Sequence, residues 1–126
     1  MLSTEHRQKN IVAKIDARQE ERIKDFIQGS VYSFCKNSSS NQFAARDLFG
    51  GTNRNWEGTP LQVLYNWHEQ NESSNPQKMA AKDLGWLLLK VLRDDPNREF
   101  KPIKGYTLKY EWIKARSGDG SAVTRL

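Results

Sequence analysis

The chain has 126 residues, 37% of them hydrophobic and 28% charged, enough for one packed domain with an appendage and too ordered a composition for wholesale disorder. Twenty Lys and Arg against 15 Asp and Glu give a formal net charge of +5, which favours an anionic partner such as nucleic acid. One cysteine, Cys35, excludes an internal disulfide, and neither a secretory leader nor an apolar run of roughly 20 residues is evident, so a soluble cytoplasmic protein is expected.

In chain order, residues 4–36 read as one long helix or two shorter ones. Ile11 and Ile15, then Ile23, Phe26, Ile27, Val31 and Phe34, recur at three- and four-residue steps. Up to Lys24 the apolar stripe is narrow, so this segment either projects from the domain or pairs with another copy of itself. A homodimer through Ile11, Ile15 and the residues that follow them is therefore expected. "NSSSNQ" is a break in which Ser39 and Gln42 have capping-box spacing, predicting a short helix over Gln42 to Phe49 that Gly50-Gly51 ends. "GTNRNWEG" is loop. There Arg54 and Trp56 either reach a base edge or phosphate, or the tryptophan plugs the gap beneath the loop.

Thr59-Pro60-Leu61-Gln62 is a clear helix start, with Thr59 to cap and Pro60 in the first turn. This helix should run to about Gln70, burying Leu61, Leu64, Tyr65 and His68. Asn75-Pro76 starts the next helix by the same logic, and Asp94-Asp95-Pro96-Asn97 ends it. On that helix Ala80, Leu84, Leu87, Leu88 and Val91 form a core face. The opposite side gathers Lys78, Lys82, Trp86, Leu89 and Arg93. Either a neighbouring helix covers Trp86 and Leu89, or Lys78 and Lys82 approach phosphates while Trp86 and Leu89 meet a partner. Then the period changes. "REFKPI" and "YTLKYEWI" flank Lys104-Gly105 as a hairpin, with Pro102 marking an edge strand and Tyr106, Leu108, Tyr110 and Trp112 on one face. The rest, from residue 115, reads as a flexible tail.

The expected architecture is thus mainly α with a C-terminal β-hairpin, an α+β fold like a winged helix-turn-helix with a long N-terminal helix. Its divisions are a helical extension over 1–38, a winged-helix-like domain over 39–114 and a tail over 115–126. In such a fold the second helix of the pair enters the major groove and the hairpin touches flanking backbone. Lys78 and Lys82 at the helix start, Lys101, Lys104 and Lys109 around the hairpin tip, and Arg54 and Gln77 are the candidate nucleic-acid contacts, with duplex DNA the expected partner. For the hairpin lysines the competing reading is a solvated edge kept from pairing by charge.

"LQVLYNWHEQN", "MAAKDLGWLLLKVL" and "REFKPIKGYTLKYEW" together resemble the winged-helix domains at the C-termini of phage and plasmid primase-helicases. The positions that carry the likeness are Leu61, Leu64, Tyr65 and Trp67, then Leu84, Gly85 and Leu88, then Gly105 and Tyr110. The likeness covers about residues 60–113. It implies a fold and nucleic-acid contact but no ATPase, since the chain has no GxxxxGK[ST] phosphate loop. No CxxC, HExxH or His–carboxylate cluster at ligand spacing is present, so no metal, cofactor or catalysis is expected. The alternative to nucleic-acid binding is a protein-interaction module that uses Trp86, Leu89 and the first helix.

Overall fold

A computed structural model describes residues 11–51 and 55–115. It is an α+β fold: helices α1 (Ala17–Asn37), α2 (Ala45–Phe49), α3 (Gln62–Gln70) and α4 (Pro76–Asp94), with strands β1 (Gln42–Phe43), β2 (Arg98–Ile103) and β3 (Lys109–Ala115). The strands form one antiparallel sheet in the order β1-β3-β2.

The first helix begins later than its apolar spacing suggests. Asp16 accepts from the Gln19 amide at 2.7 Å while Gln19 Oε1 accepts from the Asp16 amide at 3.1 Å, a reciprocal cap that fixes Ala17 as the start. Ile11 to Asp16 instead run as a non-helical strap, because the amides of Val12 and Ala13 are taken by the Asp83 carboxylate on α4. The part of the expected helix before residue 11 lies outside the described residues, as does the tail beyond Ala115. Ile23, Ile27, Val31 and Cys35 of α1 are buried in the same cluster as α4, with Ile11 and Ile15 packed against it. The stripe read as a self-association surface therefore faces the molecule's own core, and the expected boundary at 38 falls in the turn after α1.

The expected helix over Gln42 to Phe49 is corrected at its front half. Gln42 and Phe43 pair with Glu111 and Tyr110 of β3, and the helix starts at Ala45. Two forces outweigh the Ser39–Gln42 cap. Phe43 gains full burial against Phe34, Phe100 and Tyr110, with ring centroids 5.3, 6.0 and 6.1 Å away. Asp47 then caps the short helix by accepting from the Ala44 amide at 2.7 Å.

Thr59 tightens the turn ahead of α3 by accepting from the Leu61 amide at 3.2 Å, so the helix opens at Gln62, two residues after Pro60. Asn75 caps α4 as its sequence predicts, accepting from the Lys78 amide at 3.1 Å with Pro76 in the first turn. α4 is the spine of the core: Ala80, Leu84, Leu87, Leu88, Val91 and Leu92 are all buried. At roughly 1.5–3 kcal/mol per buried aliphatic side chain, this face dominates folding. Asp95 closes the helix by accepting from the amides of Asn97 and Arg98, and the chain turns into β2.

The hairpin forms as expected, with Pro102 in edge strand β2 opposite Tyr110, but β3 starts at Lys109 rather than Tyr106. Residues 104–108 are the connection, so Tyr106 stands fully exposed and only Tyr110 and Trp112 keep the expected inward side. No helix among the described residues is long and apolar enough to cross a membrane.

Candidate nucleic-acid interface

Asn75 and Pro76 fix where α4 begins, and that start fixes the exposed row above its core face. Gln77, Lys78 and Lys82 are all exposed, and the two lysines stand one turn apart on the same side. Neither makes an ion pair among the described residues. Lys90, further along α4, pairs with Glu20 of α1 at 3.4 Å, and Glu20 also holds Lys24. Lys24 and Lys90 are therefore answered by a shared carboxylate, while Lys78 and Lys82 are not.

The hairpin lysines divide by register. Lys101 faces Glu111 across the ladder and Ile103 faces Lys109, whereas Phe100 and Tyr110 alternate onto the buried side. Lys101 and Lys109 thus project from the sheet's outer face, and Lys104 stands exposed in the connection. Lys101 lies 3.5 Å from the Glu111 carboxylate, so its charge is partly answered; Lys104 and Lys109 make no ion pair among the described residues. Lys82 meets the hairpin across a groove that Thr107 and Leu108 also line, next to Lys109 in the chain. The structure thus brings Lys78, Lys82, Lys104 and Lys109 to adjoining elements, with Lys101 the most compensated of the five.

Gln77 lies beside the loop singled out in the sequence. With Asn55, Trp56, Glu57, Gln62 and Tyr65 it lines a recess of about 210 Å³. Arg54, the other candidate from that loop, falls outside the described residues. Trp56 is buried, and its Nε1–H donates to the Phe49 carbonyl at 3.0 Å, so this tryptophan packs inward at the end of α2.

Trp86 and Leu89 do not stand on a water-facing side. Leu89 is only 5% exposed, and Trp86 is half-buried; the two line the groove together with Val12, Leu108 and Tyr110. The groove is about 680 Å³, and Arg46 at the start of α2 forms part of its edge. Arg46 is exposed and makes no ion pair among the described residues. Sequence reading missed it because only the packing of α2 against α4 places it there.

A second group escaped the sequence reading. The Asp83 carboxylate, buried on α4, lies 2.7 Å from His68 Nε2, which is itself fully buried on α3. His68 Nδ1 lies 2.7 Å from the Ser73 hydroxyl. With Asp83 ionised, Nε2–H donates to it and Nδ1 accepts from Ser73. These are the residue types of a hydrolytic triad, and here they tie α3, α4 and the strap together. The ring is sealed from solvent, the carboxylate also holds the Val12 and Ala13 amides, and the Ser73 amide closes the end of α3 on the His68 carbonyl. A histidine and an acid at apolar helix positions each require a buried partner, and that was the available signal.

Arg98 is 6% exposed, with its guanidinium centre 4.9 Å from the Tyr32 ring and 5.1 Å from the Trp112 ring. This stacking anchors the start of β2 to α1 and β3. No group of three or more potential metal-binding side chains occurs among the described residues. No family model matches the chain, and no curated protein or solved structure matches it either.

Proposed function

We propose that this chain is a small, non-catalytic nucleic-acid-binding protein of winged-helix type, acting in the cytoplasm. The element order supports the reading. A first helix leads into a short strand and the one-turn helix α2, then α3 and α4 follow, joined by a short turn, and a hairpin closes a sheet in the order β1-β3-β2. In that scheme α4 is the recognition helix and the β2–β3 hairpin the wing.

The observation that carries the proposal is the pair Lys78 and Lys82. They are exposed on the first turns of α4, without an ion pair among the described residues, beside a hairpin whose Lys104 and Lys109 are likewise uncompensated. A helix start adds its own preference for anions. Phosphate contacts position without choosing sequence, so any choice of sequence falls to Gln77 and the neighbouring Asn55 loop.

The test is fluorescence anisotropy with a labelled duplex at low salt. Lys78→Glu/Lys82→Glu should weaken binding by about tenfold or more, since each lost phosphate contact removes a counterion-release contribution. Lys36→Glu, an exposed change in the last turn of α1, should leave it nearly unaltered. Equal loss in both variants would reduce the interaction to net charge and sink the assignment. A protein-interaction module is the second reading, and one observation favours it: the apolar groove beneath Trp86.

A further inference from the structure

The groove between α4, the strap at Val12 and the hairpin connection has a chemistry that phosphates do not use. Its floor is apolar, built from Val12, Met79, Trp86, Leu89, Leu108 and Tyr110. Its volume, about 680 Å³, is in the range of roughly 300–1,000 Å³ that holds a specific ligand. Two cations stand at its edge, Lys82 and Arg46, neither in an ion pair among the described residues. Asp83, the acid that lines it, is already engaged by His68 and the Val12 and Ala13 amides. The groove therefore presents apolar surface framed by positive charge.

We propose that this groove docks a short amphipathic helix of a partner protein, with acidic residues flanking its apolar face. Three observations select that occupant. Met79 to Leu89 spans eleven residues of α4, about 15 Å at the helical rise, which matches two to three turns of a second helix presenting side chains at i, i+3 or i+4, and i+7. Met79 and Trp86 supply the adaptable and the rigid contact that such anchors use. A nucleobase is disfavoured on the same floor. Its edge carries several hydrogen-bonding atoms, and four of the six floor side chains have no hydrogen-bonding N–H or O–H group to answer them. Charge complementarity sets the flanks of the occupant, since Lys82 and Arg46 at the groove's edge call for carboxylates.

This inference goes beyond the nucleic-acid reading and does not rest on it. The test is selection from a library of helical peptides of about four turns against the full chain. The selected peptides are then titrated into wild type, Leu108→Asp and Lys82→Glu/Arg46→Glu. Leu108 is 44% exposed and the two cations are exposed, so the variants should keep the wild-type circular dichroism spectrum. The expected result is enrichment of peptides with apolar residues at helical spacing and flanking Asp or Glu. Their binding should shift the amide signals of Met79, Trp86 and Leu108, and each variant should weaken it by about tenfold. No enrichment, enrichment without acidic residues, or binding indifferent to both variants overturns the proposal. So does a single-stranded oligonucleotide, or a second copy of the chain, shifting the groove signals where no peptide does. Loss of duplex binding leaves every one of these outcomes readable, so the two readings fail separately.

Discussion

Asp83 is engaged by three groups from two parts of the chain: the Val12 and Ala13 amides of the strap, and His68 on α3. Replacing it by alanine leaves two amides and an imidazole without an acceptor inside the core. We expect Asp83→Ala to cost about 3 kcal/mol or more in urea unfolding, the usual size for breaking a buried charged network. A loss below about 0.5 kcal/mol, typical of a surface site, would contradict the role given to it. Cys35 reports on the same core through pH. Burial pushes its thiol up from 9.0 to about 11, with Arg98 opposing and Asp95 reinforcing the shift. The folded value lies above the unfolded one, so the contribution is complete below pH 9 and is lost as pH rises toward 11. Tyr110, raised by burial from 10.0 to about 12, extends the decline to higher pH. Stability should therefore begin to fall above pH 9, and Cys35→Ala should flatten the first part of the fall. An unchanged slope in that variant would mean the thiol ionises as readily in the folded chain as in the unfolded one.

At the scale of elements, legibility followed the locality of the forces. α4 was readable because Asn75, Pro76 and a broad apolar face agree within one segment. Asn75→Ala should then cost about 1 kcal/mol, measured as a shift in the denaturation midpoint, and no shift would remove the cap from the account. β1 was not readable: two residues carry no period, and Phe43 becomes a strand only because β3 and an aromatic cluster meet it. The start of α1 was misplaced for a related reason. Ile11 and Ile15 continue the helical spacing, but the Asp16–Gln19 cap and the distant Asp83 carboxylate settle that stretch as a strap. Leu89 was assigned to the outer side of α4, and it is buried because elements outside that helix close over it.

Over the whole molecule, the net charge of +5 is not evenly compensated. Lys24 and Lys90 share Glu20, and Lys101 has Glu111, while Lys78, Lys82, Lys104 and Lys109 have no carboxylate within ion-pair distance among the described residues. The candidate interface was legible as far as residue types and helix starts allow. Lys78 and Lys82 followed from the Asn75 cap, but Arg46 and the apolar groove depend on how α2 and the hairpin pack around α4. The central claim is that the uncompensated lysines meet nucleic-acid phosphates. Its most direct test is duplex binding measured across a salt series. Four phosphate contacts predict that log K falls against log salt with a slope of about −3.6, and Lys78→Glu/Lys82→Glu should reduce that slope by about half. A flat dependence, or no binding at about 50 mM salt, would contradict it.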